Sequence, residues 1–301
     1  MASSSIVAQS PKHLRTLVDA EIALHGVHCD LNHIDVSQID SLLGVFEDSP
    51  FNGDISRWDV SNVTDMSALF MNSLFDGDIS AWNTGKLKTA VSMFRGSVFN
   101  GDISRWDTKN LFMAYYMFRE SRFNGNIENW NVTNAYAMAK MFQDSAFEGN
   151  LEKWNMGGPR DTAGMFFNCP NKTDFSGHML SPYGKRQRMF GPTFDGKLPL
   201  APEGTTDHKK LYTALFGDLA NLRAYLERAP FGSAHVDLLL DAKKTPTWSN
   251  STEHDWVREQ AGVGASLGLD RAALVHFVVG AHPSNRAQEP TWSNAADGVA
   301  P

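Results

Sequence analysis

Between Phe51 and Pro170 the apolar positions of this chain recur every 24 residues without a break. Tryptophan occupies one column, at Trp58, Trp82, Trp106, Trp130 and Trp154. Phenylalanine fills two more: Phe51, Phe75, Phe99, Phe123 and Phe147, then Phe70, Phe94, Phe118, Phe142 and Phe166. Glycine keeps the same step at Gly53, Gly77, Gly101, Gly125 and Gly149. Such self-similarity marks a repeat architecture, in which each unit has an apolar face that only its neighbours cover.

Within one unit the pattern predicts a turn, a strand and a short helical piece. Phe51-Asn52-Gly53-Asp54 reads as the turn, with glycine free to take positive φ and Asn and Asp bonding nearby backbone. Trp58-Asp59-Val60 alternates apolar and polar, the period of a strand. Val63, Met66, Leu69 and Phe70 follow at near-helical spacing. One parallel strand plus one helical turn per 24-residue coil predicts an α/β repeat solenoid of leucine-rich-repeat type. The tryptophans are its expected inward ladder, covering the strands' inner face. The column Asp59, Asn83, Asp107, Asn131 and Asn155 is expected to hydrogen-bond between coils.

The ends differ. Ser10 and Pro11 predict a helix start, Leu14, Leu17, Val18 and Ile22 an apolar stripe, and Gly26 a stop. Residues 1–26 therefore read as a capping helix, and residues 27–170 as a solenoid of about six coils, with Ile34 in the first tryptophan slot. Residues 171–205, rich in Gly and Pro, read as a closing segment and linker. Leucines at Leu211, Leu215, Leu219, Leu222 and Leu226 open a small, mainly helical domain over 206–301. It holds a duplicated Pro-Thr-Trp-Ser-Asn segment around Trp248 and Trp292, read as a repeated turn whose Trp pins a loop to the helices or as a pair of docking loops.

The run Phe-Asn-Gly-Asp-Ile-Ser-Arg-Trp-Asp-Val-Ser-Asn-Val-Thr-Asp-Met-Ser, Phe51 to Ser67, resembles the BspA-like leucine-rich-repeat surface proteins, also described as the mycoplasma and lactobacillus surface-protein repeat. Asp30 to Ser37 resembles their lead-in, and the likeness spans Pro11 to about Pro170. It implies a right-handed solenoid and non-enzymatic binding or adhesion, and it carries over no catalytic residue. The C-terminal third has no counterpart in that repeat.

Charge narrows the partner. Val27 to Pro170 holds 18 acidic and 11 basic residues, so the net charge of −7 resides there. An acidic block argues against nucleic acid and permits, without requiring, a basic protein partner or a cation. No apolar run is long enough to span a membrane. Met1 to Gln9 does not read as a secretory signal, which predicts a cytoplasmic protein, or one at a virion or cell surface after lysis or specialised export. Cys29 and Cys169 make no disulfide framework. His208, His235, Asp237, His254, Asp255 and His276 form no metal or nucleophile spacing. No catalytic residue, metal site or cofactor is expected.

Columns that vary between coils are free for recognition. Phe112, Met113, Tyr115 and Tyr116 crowd one coil outside the regular core columns, with Tyr136 beside them and Lys88 and Lys140 as a basic rim. They are the candidate binding residues, the alternative being a patch that packs against the chain's own C-terminal domain. The expected partner is a protein, on a host surface or in an assembly, and an oligomer is permitted. The first functional expectation is a non-enzymatic adhesion or recognition module. The alternatives are a phage virion component (fibre, decoration or tail-associated receptor-binding subunit) and a secreted effector with activity in the C-terminal domain.

Overall fold

A computed structural model describes residues 6–175, 177–181, 183–191, 193–196, 198–199 and 208–228. It begins with a two-residue strand, β1 (Ile6–Val7), followed by helix α1 (Pro11–His25) and a second short strand, β2 (Ile34–Asp35). β1 lies parallel to β2, Ile6 opposite Ile34. Ser10 caps α1: it is extended and its hydroxyl accepts the His13 N–H at 3.2 Å. Gly26, at φ 84°, ends it, its N–H reaching the Ile22 carbonyl. Leu14 and Val18 are the buried side of this helix.

Beyond β2 successive 24-residue units stack in parallel. Bridges link Ser41 to Asp65, Asp65 to Thr89, Thr89 to Met113, Met113 to Ala137, Ala137 to Asp161 and Asp161 to Lys185. The rings stack with them. Trp58, Trp82, Trp106 and Trp130 follow at 6.3–6.5 Å between centroids, within 10° of parallel. The column Phe46, Phe70, Phe94, Phe118, Phe142 and Phe166 follows at 5.5–5.6 Å. All are buried. Each indole N–H donates into the preceding unit: Trp58 to the Leu31 carbonyl at 3.0 Å, Trp106 to Ile79 at 3.1 Å and Trp154 to Ile127 at 2.9 Å. The ring thus supplies apolar area and fixes the register between units.

The backbone inside a unit differs from the predicted strand and helical turn. Among the described residues the units hold no helix, and Trp58–Val60 is not a strand. The ladder runs instead through Met66 to Ser73 and its equivalents. There alternate amides reach the next unit: Met66 to the Thr89 carbonyl, Ala68 to Val91, Phe70 to Met93 and Asn72 to Arg95, at 2.7–2.9 Å. The amides between them close four-residue turns inside the unit, Leu69 to Met66, Met71 to Ala68 and Ser73 to Phe70. Facing alternate amides two ways requires left-handed residues. Two columns supply them: Gly44, Ala68, Ser92, Tyr116, Lys140, Gly164 and Arg188, then Asp48, Asn72, Gly96, Glu120, Asp144 and Asn168, at φ of 53–65°. This backbone gives neither a strand period nor a helical one.

Two turn expectations also change. The Gly53 column does not take positive φ; it serves close packing. A Cβ on Gly101 would meet the Phe99 ring at 2.8 Å, and Gly77 and Gly125 meet Phe75 and Phe123 alike. The Asp59 column bonds within its own unit, each side-chain oxygen accepting the amide two residues on, as in Asp59 with Ser61 and Asn131 with Thr133. The bond between units is made elsewhere, where Asn52, Asp76, Asn100 and Asn124 each accept the backbone amide 24 residues later.

Stacking does not stop at Pro170. Phe190 lies 5.9 Å from Phe166, and Thr162, Gly164 and Phe166 donate to Lys185, Gln187 and Met189. Helices α2 (His208–Phe216) and α3 (Leu219–Arg228) then close the end. The Arg188 and Phe190 amides donate to the Ala214 and Leu215 carbonyls, and Phe216 and Tyr225 pack against Phe190 and Phe194. So the segment read as a linker contributes a further unit, and the leucine stripe, broken at Gly217 into α2 and α3, is its lid. The rest of the predicted C-terminal domain, with Trp248 and Trp292, lies outside the described residues.

Candidate binding face

One outward column carries two exposed aromatics, Phe112 and Tyr136; a third, Tyr183, stands apart from it. Lys88 donates its amide to the Thr64 carbonyl, Phe112 to Lys88, Tyr136 to Phe112 and Arg160 to Tyr136, each at 2.8–2.9 Å. Four side chains therefore stand at one place on four consecutive units, as cation, ring, ring, cation. Phe112 is 48% exposed and Tyr136 43%. Their rings stack at 5.3 Å and 21°. Lys88 and Arg160 are exposed, and neither side chain pairs with another described residue.

The other sequence candidates are spent on the protein itself. Tyr115 is half-buried and its hydroxyl donates to Asp161 Oδ2 at 3.3 Å; burial, then the Asp161 charge, push its phenol above the ordinary value. Tyr116 is left-handed at φ 59°, with Arg119 at 5.7 Å and Lys140 at 5.6 Å over its ring. Lys140 is thus held beside Tyr116 and does not form an open rim. Met113, half-buried, is a rung of the ladder between Thr89 and Ala137. Phe112, Tyr136 and Lys88 stay open to solvent. Arg160, which sequence reading passed over, completes their column. Its signal was present, since it stands one period after Tyr136.

Other chemistry is sparse. Among the described residues no three His, Cys, Asp or Glu side chains are grouped to hold a metal ion, and no helix is long and apolar enough to cross a membrane. Cys29 is half-buried, and burial raises its thiol. Cys169 is fully buried and its thiol is pushed up to about 12, chiefly by desolvation. A depression of about 300 Å³ beside Trp130 is polar, and its Lys153 is already held by Glu128 and Asn129.

A family model described as "Mycoplasma protein of unknown function, DUF285" matches the chain twice, over residues 18–121 and 92–180. The two matches overlap and together take in the second half of α1 and the stacked units as far as the start of the last one. No curated protein and no solved structure matches.

Proposed function

We propose that this chain, which belongs to the Mycoplasma proteins of unknown function, DUF285, is a non-enzymatic protein-binding module of the adhesion or recognition kind, akin to the BspA-like surface repeats. In this reading the stacked units form a leucine-rich-repeat-like solenoid whose constant columns are core and whose variable columns meet the partner. The observation that carries it is the exposed Phe112–Tyr136 stack on an otherwise repetitive surface. Each unit can spend its outward residues freely, because its fold rests on buried Trp and Phe columns. Exposed aromatics with cations beside them are the usual anchors of protein recognition.

The test is the double substitution Phe112→Ser and Tyr136→Ser. Both side chains are solvent-exposed, so the thermal transition and far-ultraviolet dichroism stay as in the parent. Capture of a protein partner from host lysate is lost. A variant that captures the same partner as the parent sinks the reading.

A further inference from the structure

The outward column has a fixed spacing as well as a composition. Lys88, Phe112, Tyr136 and Arg160 stand on consecutive units joined amide to carbonyl. At the usual separation of about 4.8 Å between parallel neighbours, the two cations are about 14 Å apart along the stack. An extended peptide rises about 3.4 Å per residue, so residues i and i+4 are also about 14 Å apart. Those two residues, and i+2 between them, point to the same side. An α-helix covers that distance only after about nine residues, which point to opposite sides.

The rings narrow the ligand further. Phe112 and Tyr136 stack at 5.3 Å and stay about half exposed, so the pair forms one apolar ridge between the two cations. A ridge of that kind suits an aliphatic or aromatic side chain of a partner protein. The backbone of the column is paired from unit to unit, so recognition falls to side chains. With no other described residue pairing with them, the Lys88 and Arg160 charges remain for a partner.

We propose that this column binds an extended acidic segment of a partner protein, laid along the stack axis in the pattern acidic, any, apolar, any, acidic. The two carboxylates meet Lys88 and Arg160, and the apolar side chain sits on the Phe112–Tyr136 ridge. The inference rests on the binding-face reading and adds the chemistry and register of the partner.

The test uses the full chain and fluorescein-labelled peptides in an anisotropy titration. The first peptide carries Glu-Ser-Leu-Ser-Glu between Gly-Ser flanks. The second has the same composition, with the second Glu moved to i+3, which turns it to the other side of the strand. The third replaces both Glu by Lys. The first binds tightest. Lys88→Ser and Arg160→Ser each weaken it about 2- to 5-fold, the scale of one exposed ion pair. Binding also fades near 1 M salt, where screening acts beyond about 3 Å. The double reversal Lys88→Glu and Arg160→Glu inverts the preference to the Lys peptide, a result that damage to the fold does not produce.

Equal binding of the first two peptides, lost together in the Phe112→Ser/Tyr136→Ser protein, overturns the register while leaving the binding face intact. Retention on immobilised heparin with no peptide binding assigns the column to an anionic glycan and overturns the proposal. Absence of binding to every probe overturns it as well. Failure of the binding-face reading itself is seen separately, in partner capture that survives loss of both rings.

Discussion

At the scale of single residues the columns divide by what they do between units. Trp106 is buried and its indole N–H reaches the Ile79 carbonyl of the unit before. Trp106→Ala is expected to cost about 3–5 kcal/mol in chemical denaturation, the range for a large core truncation. Trp106→Phe keeps a ring but loses that bond, and is expected to cost about 1–2 kcal/mol. Gly101→Ala places a methyl 2.8 Å from the Phe99 ring and is expected to cost about 1–3 kcal/mol by overpacking. The turn carboxylates set the acid response. Asp54, Asp59, Asp102 and Asp107 are held below the ordinary carboxylate value, mainly by hydrogen bonds from the residue two positions on. A depressed folded value means that this stability is complete above the unfolded value, and is lost as pH falls through the folded one. Thermal melts are therefore expected to be level from neutral pH down to about pH 4 and to fall below it. Asp102→Asn copies Asn126 and Asn150 of the same column; it keeps the turn bond and removes that residue's share of the acid decline.

At the scale of elements each end of the stack is closed by a helix in a different way. α1 covers the first unit, and Arg15 donates to the Gly44 and Glu47 carbonyls at 3.1 and 2.9 Å. In later units the carbonyl equivalent to Glu47, that of Met71, accepts the Asp48 amide; Arg15 stands in for the unit that is not there. Arg15→Ala is expected to cost about 1.5–3 kcal/mol, the worth of hydrogen bonds from a charged group, measured by urea unfolding. At the other end α2 offers its last carbonyls to the Arg188 and Phe190 amides, which uses the unpaired C-terminus every helix has. The backbone ridge formed by Met66 to Ser73 and its equivalents carries strain that substitution can relieve. Ala68 sits at φ 53°. A left-handed alanine costs about 1–2 kcal/mol and a glycine's extra chain entropy about 0.5–1. Ala68→Gly is therefore expected to stabilise slightly, by up to about 1 kcal/mol. The capping helix was readable because Ser10, Pro11 and Gly26 act through local backbone geometry. The first left-handed column was not, because Ala68, Tyr116 and Lys140 are poor residues for positive φ and are held there by bonds to the next unit; the second carries a local signal in Asp48, Asn72, Gly96, Asp144 and Asn168.

At the scale of the whole molecule stability is a sum over neighbours, so where the stack ends decides how much of it survives. A chain stopped at Pro170 leaves the Thr162, Gly164 and Phe166 amides without the acceptors they have at Lys185, Gln187 and Met189. It also uncovers Phe166. Such a chain is expected to melt roughly 10 °C below one stopped at Arg228 in calorimetry. The sequence by itself determined the unit length, the buried Trp and Phe columns and the helix at the start, because repetition and helix caps are local or periodic signals. It also pointed to Phe112, Tyr136 and Lys88 as residues outside the core. Only the tertiary structure decided which way the ridge amides face, why the glycines are needed, that the stack runs past Pro170, and that Tyr115, Tyr116 and Lys140 hold one another while Arg160 completes the open column. Those properties belong to pairs of units 24 residues apart, and a contact across that gap is set by packing, to which spacing along one strand of text is blind.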